Sequence, residues 1–165
     1  MCVVVALSSG SSASAALTPH EQTWTTKVVA IYNSMQTNIA TLNKQFAKAD
    51  IFVRASTTQQ QNIKTLYDFT RCTTKAASAG SAPTHRLVAA GKALQAACTS
   101  VSRGAHELAK GIGLGSTDVA KGKALSADAT TLLKSGLADI GAGQKSLATF
   151  RALMIKVSGQ SAFSA

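Results

Sequence analysis

Acidic residues are scarce in this chain. Seven Asp and Glu stand against 17 Lys and Arg over 165 residues, giving a net charge of +10 at pH 7. None lies between Asp68 and Glu107, a stretch that holds Arg71, Lys75, Arg86, Lys92 and Arg103. So few carboxyls leave few pairs for acid and base chemistry. Asp128 and Asp139 share one helical face but sit about 16 Å apart along it, beyond the ~5 to 9.5 Å of glycosidase carboxylates. Aromatics amount to 5%, which excludes a core of large rings. No apolar run approaches the ~18 residues of a membrane span. There are only three histidines, His20, His85 and His106. His85 and His106 fall on one outward face about 31 Å apart, and no zinc-ligand spacing occurs. A haem would have a single histidine, tyrosine or methionine to choose from at any one place. No cofactor is therefore expected. The chain has serines but no GxSxG elbow, and no strand to carry one. No enzyme is expected.

What is present is helical periodicity. Leu87, Gly91, Leu94, Cys98, Val101, Ala105, Leu108 and Ile112 recur at alternating steps of four and three, the seam of a helix packed on other helices. An earlier seam reads Val28, Tyr32, Met35, Ile39, Leu42, Phe46 and Ala49, widened by Trp24 and Ile31. It opens on Thr18-Pro19-His20-Glu21, with a capping threonine, proline in the first turn and an acid three residues after the cap. The segment between Pro19 and Gly80 contains neither glycine nor proline. An unbroken helix there would reach about 90 Å, longer than any available partner, so a turn is placed between Asp50 and the Ser56-Thr57-Thr58-Gln59 box. The second helix then carries Ile63, Leu66, Tyr67 and Phe69 inward and ends soon after Cys72.

The run Gly111-Ile112-Gly113-Leu114-Gly115 reads as a hinge, with Ser116 or Thr117 and Asp118 capping a last helix. It is not a phosphate loop, because it follows a helix and no GK[ST] comes after it. The last seam runs Val119, Gly122, Ser126, Ala129, Leu133, Gly136, Ile140, Gly143, Leu147, Phe150, Met154 and Val157. One of its rows is Gly122, Ala129, Gly136 and Gly143 at sevens. Glycines in a helix cost on the order of 1 kcal/mol each, so that row predicts close backbone approach to a neighbour. Residues 160–165 read as a frayed tail.

The expected architecture is an all-α antiparallel four-helix bundle with a small-residue seam. Its helices cover about residues 18–49, 56–74, 83–110 and 117–158 of a single domain spanning 16–165. Residues 1–15 have an apolar run at 2–7 and Ala13-Ser14-Ala15 before Ala16, the shape of a truncated signal peptide. Secretion or residence in the cell envelope follows, and there two cysteines such as Cys72 and Cys98 usually pair. The expected function is a non-catalytic binding or structural protein. Its basic helix faces would contact anionic envelope polymers or a partner protein, with Lys75, Arg86, Lys92 and Arg103 as contact residues. Nucleic acid is disfavoured, because the cations are spread over all helices and the aromatics lie in seams. The alternative is a carrier of an apolar ligand or haem held between the helices, lined by Tyr32, Met35, Phe46, Tyr67 and Phe69.

Overall fold

The structure is a computed structural model and describes residues 16–159 and Phe163. The signal-peptide expectation for residues 1–15 lies outside the described residues. All regular elements among these are helical, with no strand: α1 (Pro19–Phe46), a 3-10 turn (Ala49–Phe52), α2 (Thr57–Thr70), α3 (Cys72–Ser78), α4 (His85–Ala120) and α5 (Ala127–Ser158). Four of them are long and α3 is a short seven-residue helix.

Helix α1 starts where the capping pattern places it. Thr18 accepts from the Glu21 amide while the Glu21 carboxylate accepts from the Thr18 amide, so two otherwise unpaired donors are satisfied. It ends at Phe46, short of the expected residue 49, and the chain reverses without help from glycine. Ala55 instead takes a left-handed conformation (φ 60°). The Ser56 hydroxyl caps α2 at the Gln59 amide, and the Gln59 side chain accepts from the Ala55 amide while donating to the Ser116 hydroxyl of α4. Ile51, buried, closes the base of the turn.

The expected second helix, 56–74, is two helices. It breaks at Arg71, and α3 carries the chain on to Gly80 (φ 80°). The break gives the slack that the cysteine spacing demands. The Cys72 and Cys98 sulfurs come to disulfide distance, 2.15 Å, with Cα atoms 5.1 Å apart, and the Met35 sulfur lies against both. Tyr67 and Ile63 are not inward. They are 60% and 54% exposed, whereas Leu66 and Phe69 are buried. On a 14-residue helix the buried arc centres on Thr58, Asn62, Thr65, Leu66 and Phe69, which turns Ile63 and Tyr67 outward.

The glycine run at 111–115 is not a hinge. Helix α4 continues through it to Ala120, because two of its glycines make room for neighbours. A Cβ on Gly111 would stand 2.9 Å from Leu133, and one on Gly115 would stand 2.8 Å from the Phe52 ring. The chain reverses later, at 121–125, where Gly122 has φ 65°. The Asp118 carboxylate, in the last turn of α4, accepts from the Ser126 amide, and Ser126 caps α5 at Ala129. Val119, expected in a seam, is 42% exposed as a result.

From that turn α5 doubles back along α4. A Cβ on Gly104 would lie 2.6 Å from the Gly136 carbonyl oxygen, and one on Gly143 would lie 2.5 Å from Val101. Of the expected row, Gly122 falls in the exposed turn, while Ala129, Gly136 and Gly143 are buried, and α4 answers them with Ala90, Ala97, Gly104 and Gly111, also buried and also spaced by seven. The two backbones meet with little side chain between them. Phe163, inside the stretch expected to fray, packs edge-on against Tyr32 and Phe150, 5.3 and 6.2 Å between ring centroids.

Opposite signs are expected for glycine substitutions on the two sides of these helices. Gly104→Val or Gly136→Val should lower unfolding free energy by about 1–3 kcal/mol or more through overpacking, read by urea titration. Gly113→Ala and Gly141→Ala, whose new Cβ meets nothing within 4 Å, should raise it by about 0.5–1 kcal/mol. Cys98→Ser should cost about 3 kcal/mol by releasing the loop between the cysteines, whereas an unchanged melting curve would show that the thiols are free.

Candidate anion-binding surface

The basic stretch 69–106 lies mostly on α3 and the first half of α4, and the structure divides its cations into two kinds. Arg86 belongs to a fastening. Glu21 is 1% exposed, and its two carboxylate oxygens accept from Arg86 Nε at 2.7 Å and Nη2 at 2.5 Å. The Thr84 hydroxyl donates to the same carboxylate at 2.5 Å. This two-pronged pair ties the first turn of α1 to the first turn of α4, and the Arg86 guanidinium holds the Glu21 carboxyl far below the usual carboxylate range, with the Thr84 and Thr18 donors adding to the effect. Arg103 is likewise engaged. Its Nε and Nη2 donate to the two oxygens of Asp139 on α5, which lowers the Asp139 carboxyl. Arginine suits such fork-to-fork pairing, but a guanidinium spent on it has little charge left for an external anion.

Lys75 and Lys92 are placed differently. Lys75, in the last turn of α3, and Lys27 of α1 line one groove of about 440 Å3, floored by Ala30, Ile31 and Ala79 and edged by Ser34 and Ser78. Lys92 lines a neighbouring cleft of about 400 Å3 on the other side of α3, against Trp24, Val28, Gly91 and Leu94. The Trp24 indole donates to the Gly80 carbonyl at 3.0 Å and so pins the cleft wall. Among the described residues, neither ion pair involves Lys27, Lys75 or Lys92. Lys27 and Lys75 thus line one cleft beside α3, and Lys92 lines the other.

The other expected residues fall elsewhere. Tyr32, Met35 and Phe69 are packed in the core, Phe46 is half-buried at its edge, and Tyr67 faces solvent, so these five do not converge on one chamber. His20, His85 and His106 are exposed. Among the described residues no group of three or more His, Cys, Asp or Glu could hold a metal ion, and no helix is long and apolar enough to cross a membrane. Compared with family models, curated proteins and solved structures, the chain matches none.

Sequence reasoning missed Lys27 as a partner of Lys75. No local pattern links them, because the groove exists only through the bend at Arg71 that lays α3 beside α1. The signal that Arg86 and Arg103 would be consumed was available in principle, since Glu21 and Asp139 are two of only seven acids, but their pairing spans 65 and 36 residues.

The carboxyls of Glu21, Asp118 and Asp139 are all lowered in the folded protein. Each then adds stability above the unfolded carboxylate range and loses it as pH falls, because the unfolded chain takes up protons first. Unfolding midpoints should hold steady near neutrality and fall below about pH 5. Glu21→Gln should lower the midpoint at pH 7 and flatten its decline toward pH 3, both read by circular dichroism melts.

Proposed function

We propose that this chain is a non-catalytic, exported binding or structural protein of the extracellular or envelope space. Its four long helices form an antiparallel bundle that contacts an anionic polymer through the basic surface around α3. The observation that carries this reading is the trio Lys27, Lys75 and Lys92 around one short helix, outside both ion pairs of the described residues. Lysine ammoniums on flexible stems suit a repeating polyanion, whose charges need attraction more than fixed geometry. The Cys72–Cys98 pair at disulfide distance supports an oxidising compartment, where such pairs form and persist.

Elution from a heparin column tests the reading. The wild-type chain should be retained and should elute as salt rises, since exposed charges are screened within about 10 Å at 0.1 M. Lys27→Ala/Lys75→Ala/Lys92→Ala should elute at distinctly lower salt. A matched triple on α5, Lys134→Ala/Lys145→Ala/Lys156→Ala, removes the same charge elsewhere and should shift elution much less. Equal shifts from the two triples would reduce the effect to net charge and overturn the site; no retention of the wild type would overturn the function.

A further inference from the structure

The outward face of α2 carries more apolar surface than a solvent face needs. Ile63 and Tyr67, one turn apart, are 54% and 60% exposed, and Val53 is 48% exposed just ahead of the helix. Clustered exposure of large apolar groups marks interaction surfaces. Beside Ile63 runs a groove of about 210 Å3 between α2 and α4, floored by Leu66 and Ile112 and open at Gly113, where a Cβ would meet nothing within 4 Å. A guanidinium stands toward each end of α2. Arg54 lines the groove and donates to the Thr117 hydroxyl at 3.1 Å, and Arg71 lies over the Tyr67 ring, 5.7 Å from its centroid. The 14 residues of α2 between them span about 21 Å.

We propose that the outward face of α2 and the α2–α4 groove beside it dock an amphipathic helix of a partner protein, with its apolar side on Ile63 and Tyr67 and carboxylates at its two ends against Arg54 and Arg71. A helix of about four turns matches the 21 Å track, and the groove has room for a large aliphatic anchor of the kind such helices insert. Tyrosine and arginine are the residue types that most often carry interface energy. Charge chooses the occupant. A second copy of this chain, paired face to face about a twofold axis, would bring cations against cations on a molecule of net charge +10, whereas an acidic helix is drawn in by the same field. The surface uses none of Lys27, Lys75 or Lys92, so it stands or falls separately from the polymer reading.

The probe is a synthetic helical peptide with leucines at i, i+3, i+4 and i+7 and glutamates at both ends, beside a twin whose glutamates are lysines. The full chain should bind the glutamate peptide, with amide shifts in NMR spectra confined to residues 54–71 and 109–117. The lysine twin should bind roughly tenfold or more weakly. Tyr67→Asp should weaken the glutamate peptide by about tenfold or more while leaving helicity, melting and heparin retention unchanged, since the side chain is exposed. Arg54→Glu/Arg71→Glu should reverse the preference between the twins. Equal affinity for both, no affinity for either, or shifts centred elsewhere would overturn the proposal. So would a wild-type dimer in sedimentation that Tyr67→Asp turns into a monomer, because the occupant would then be a second copy.

Discussion

The close approach of α4 and α5 is the constraint on which the rest of the structure depends. Ala90, Ala97, Gly104 and Gly111 on α4 and Ala129, Gly136 and Gly143 on α5, each row spaced by seven, let the two backbones meet, leaving no room for a Cβ on Gly104 beside the Gly136 carbonyl and setting Leu108 over Gly136. Such a contact gives little hydrophobic area per residue, so its stability comes from length. Thirty-six residues on one helix face 32 on the other, and each missing Cβ is a requirement, because anything larger pushes the helices apart. On another side of α4, Cys98 meets Met35 of α1 and Cys72 of α3, and Ile112 lines a groove with Leu66 of α2.

Few acids are available, and the fold uses several of them as fasteners. Glu21 joins the start of α1 to the start of α4, Asp139 joins α5 to Arg103, and Asp118 holds the turn that reverses α4 into α5. Glu21 and Asp139 are depressed by arginines that the tertiary structure brings from another helix, and Asp118 by the Ser126 donors of the adjoining turn. These acids neutralise only a minority of the 17 cations, and the surplus remains on the surface. A scaffold with little large side chain to bury gains orientation from such pairs, while the uncompensated lysines give its exterior a sign.

Much of the architecture was legible in residue spacing. The seams of α1 and α4 are largely buried, the last seam holds from Ala129 onward while Val119, Gly122 and Ser126 ahead of it are exposed, and Cys72 and Cys98 come within bonding distance. The errors fell where a local signal has two physical meanings. A run of glycines reads as a break when only propensity is counted, yet Gly111 and Gly115 serve as sockets for Leu133 and Phe52, and packing outweighs their propensity cost. Apolar residues of α2 read as inward, yet its buried arc is given partly to Thr58, Asn62 and Thr65, and Ile63 and Tyr67 lie outside. Within the basic stretch, Arg86 and Arg103 are ion-paired with acids distant in sequence, a pairing that no local pattern carries.

By itself the sequence determined that the chain is helical, which faces of α1 and α4 and of most of α5 are buried, where close approach is possible and which cysteines can meet. These follow from periodicity and side-chain size, which are local properties. Only the tertiary structure decided where the chain turns between α4 and α5, that α3 leaves the line of α2 at Arg71, that Lys27 joins Lys75, and that an apolar track with arginines toward its ends lies open beside α4. These depend on which distant residue fills a space or neutralises a charge, and no window of neighbouring residues carries that information.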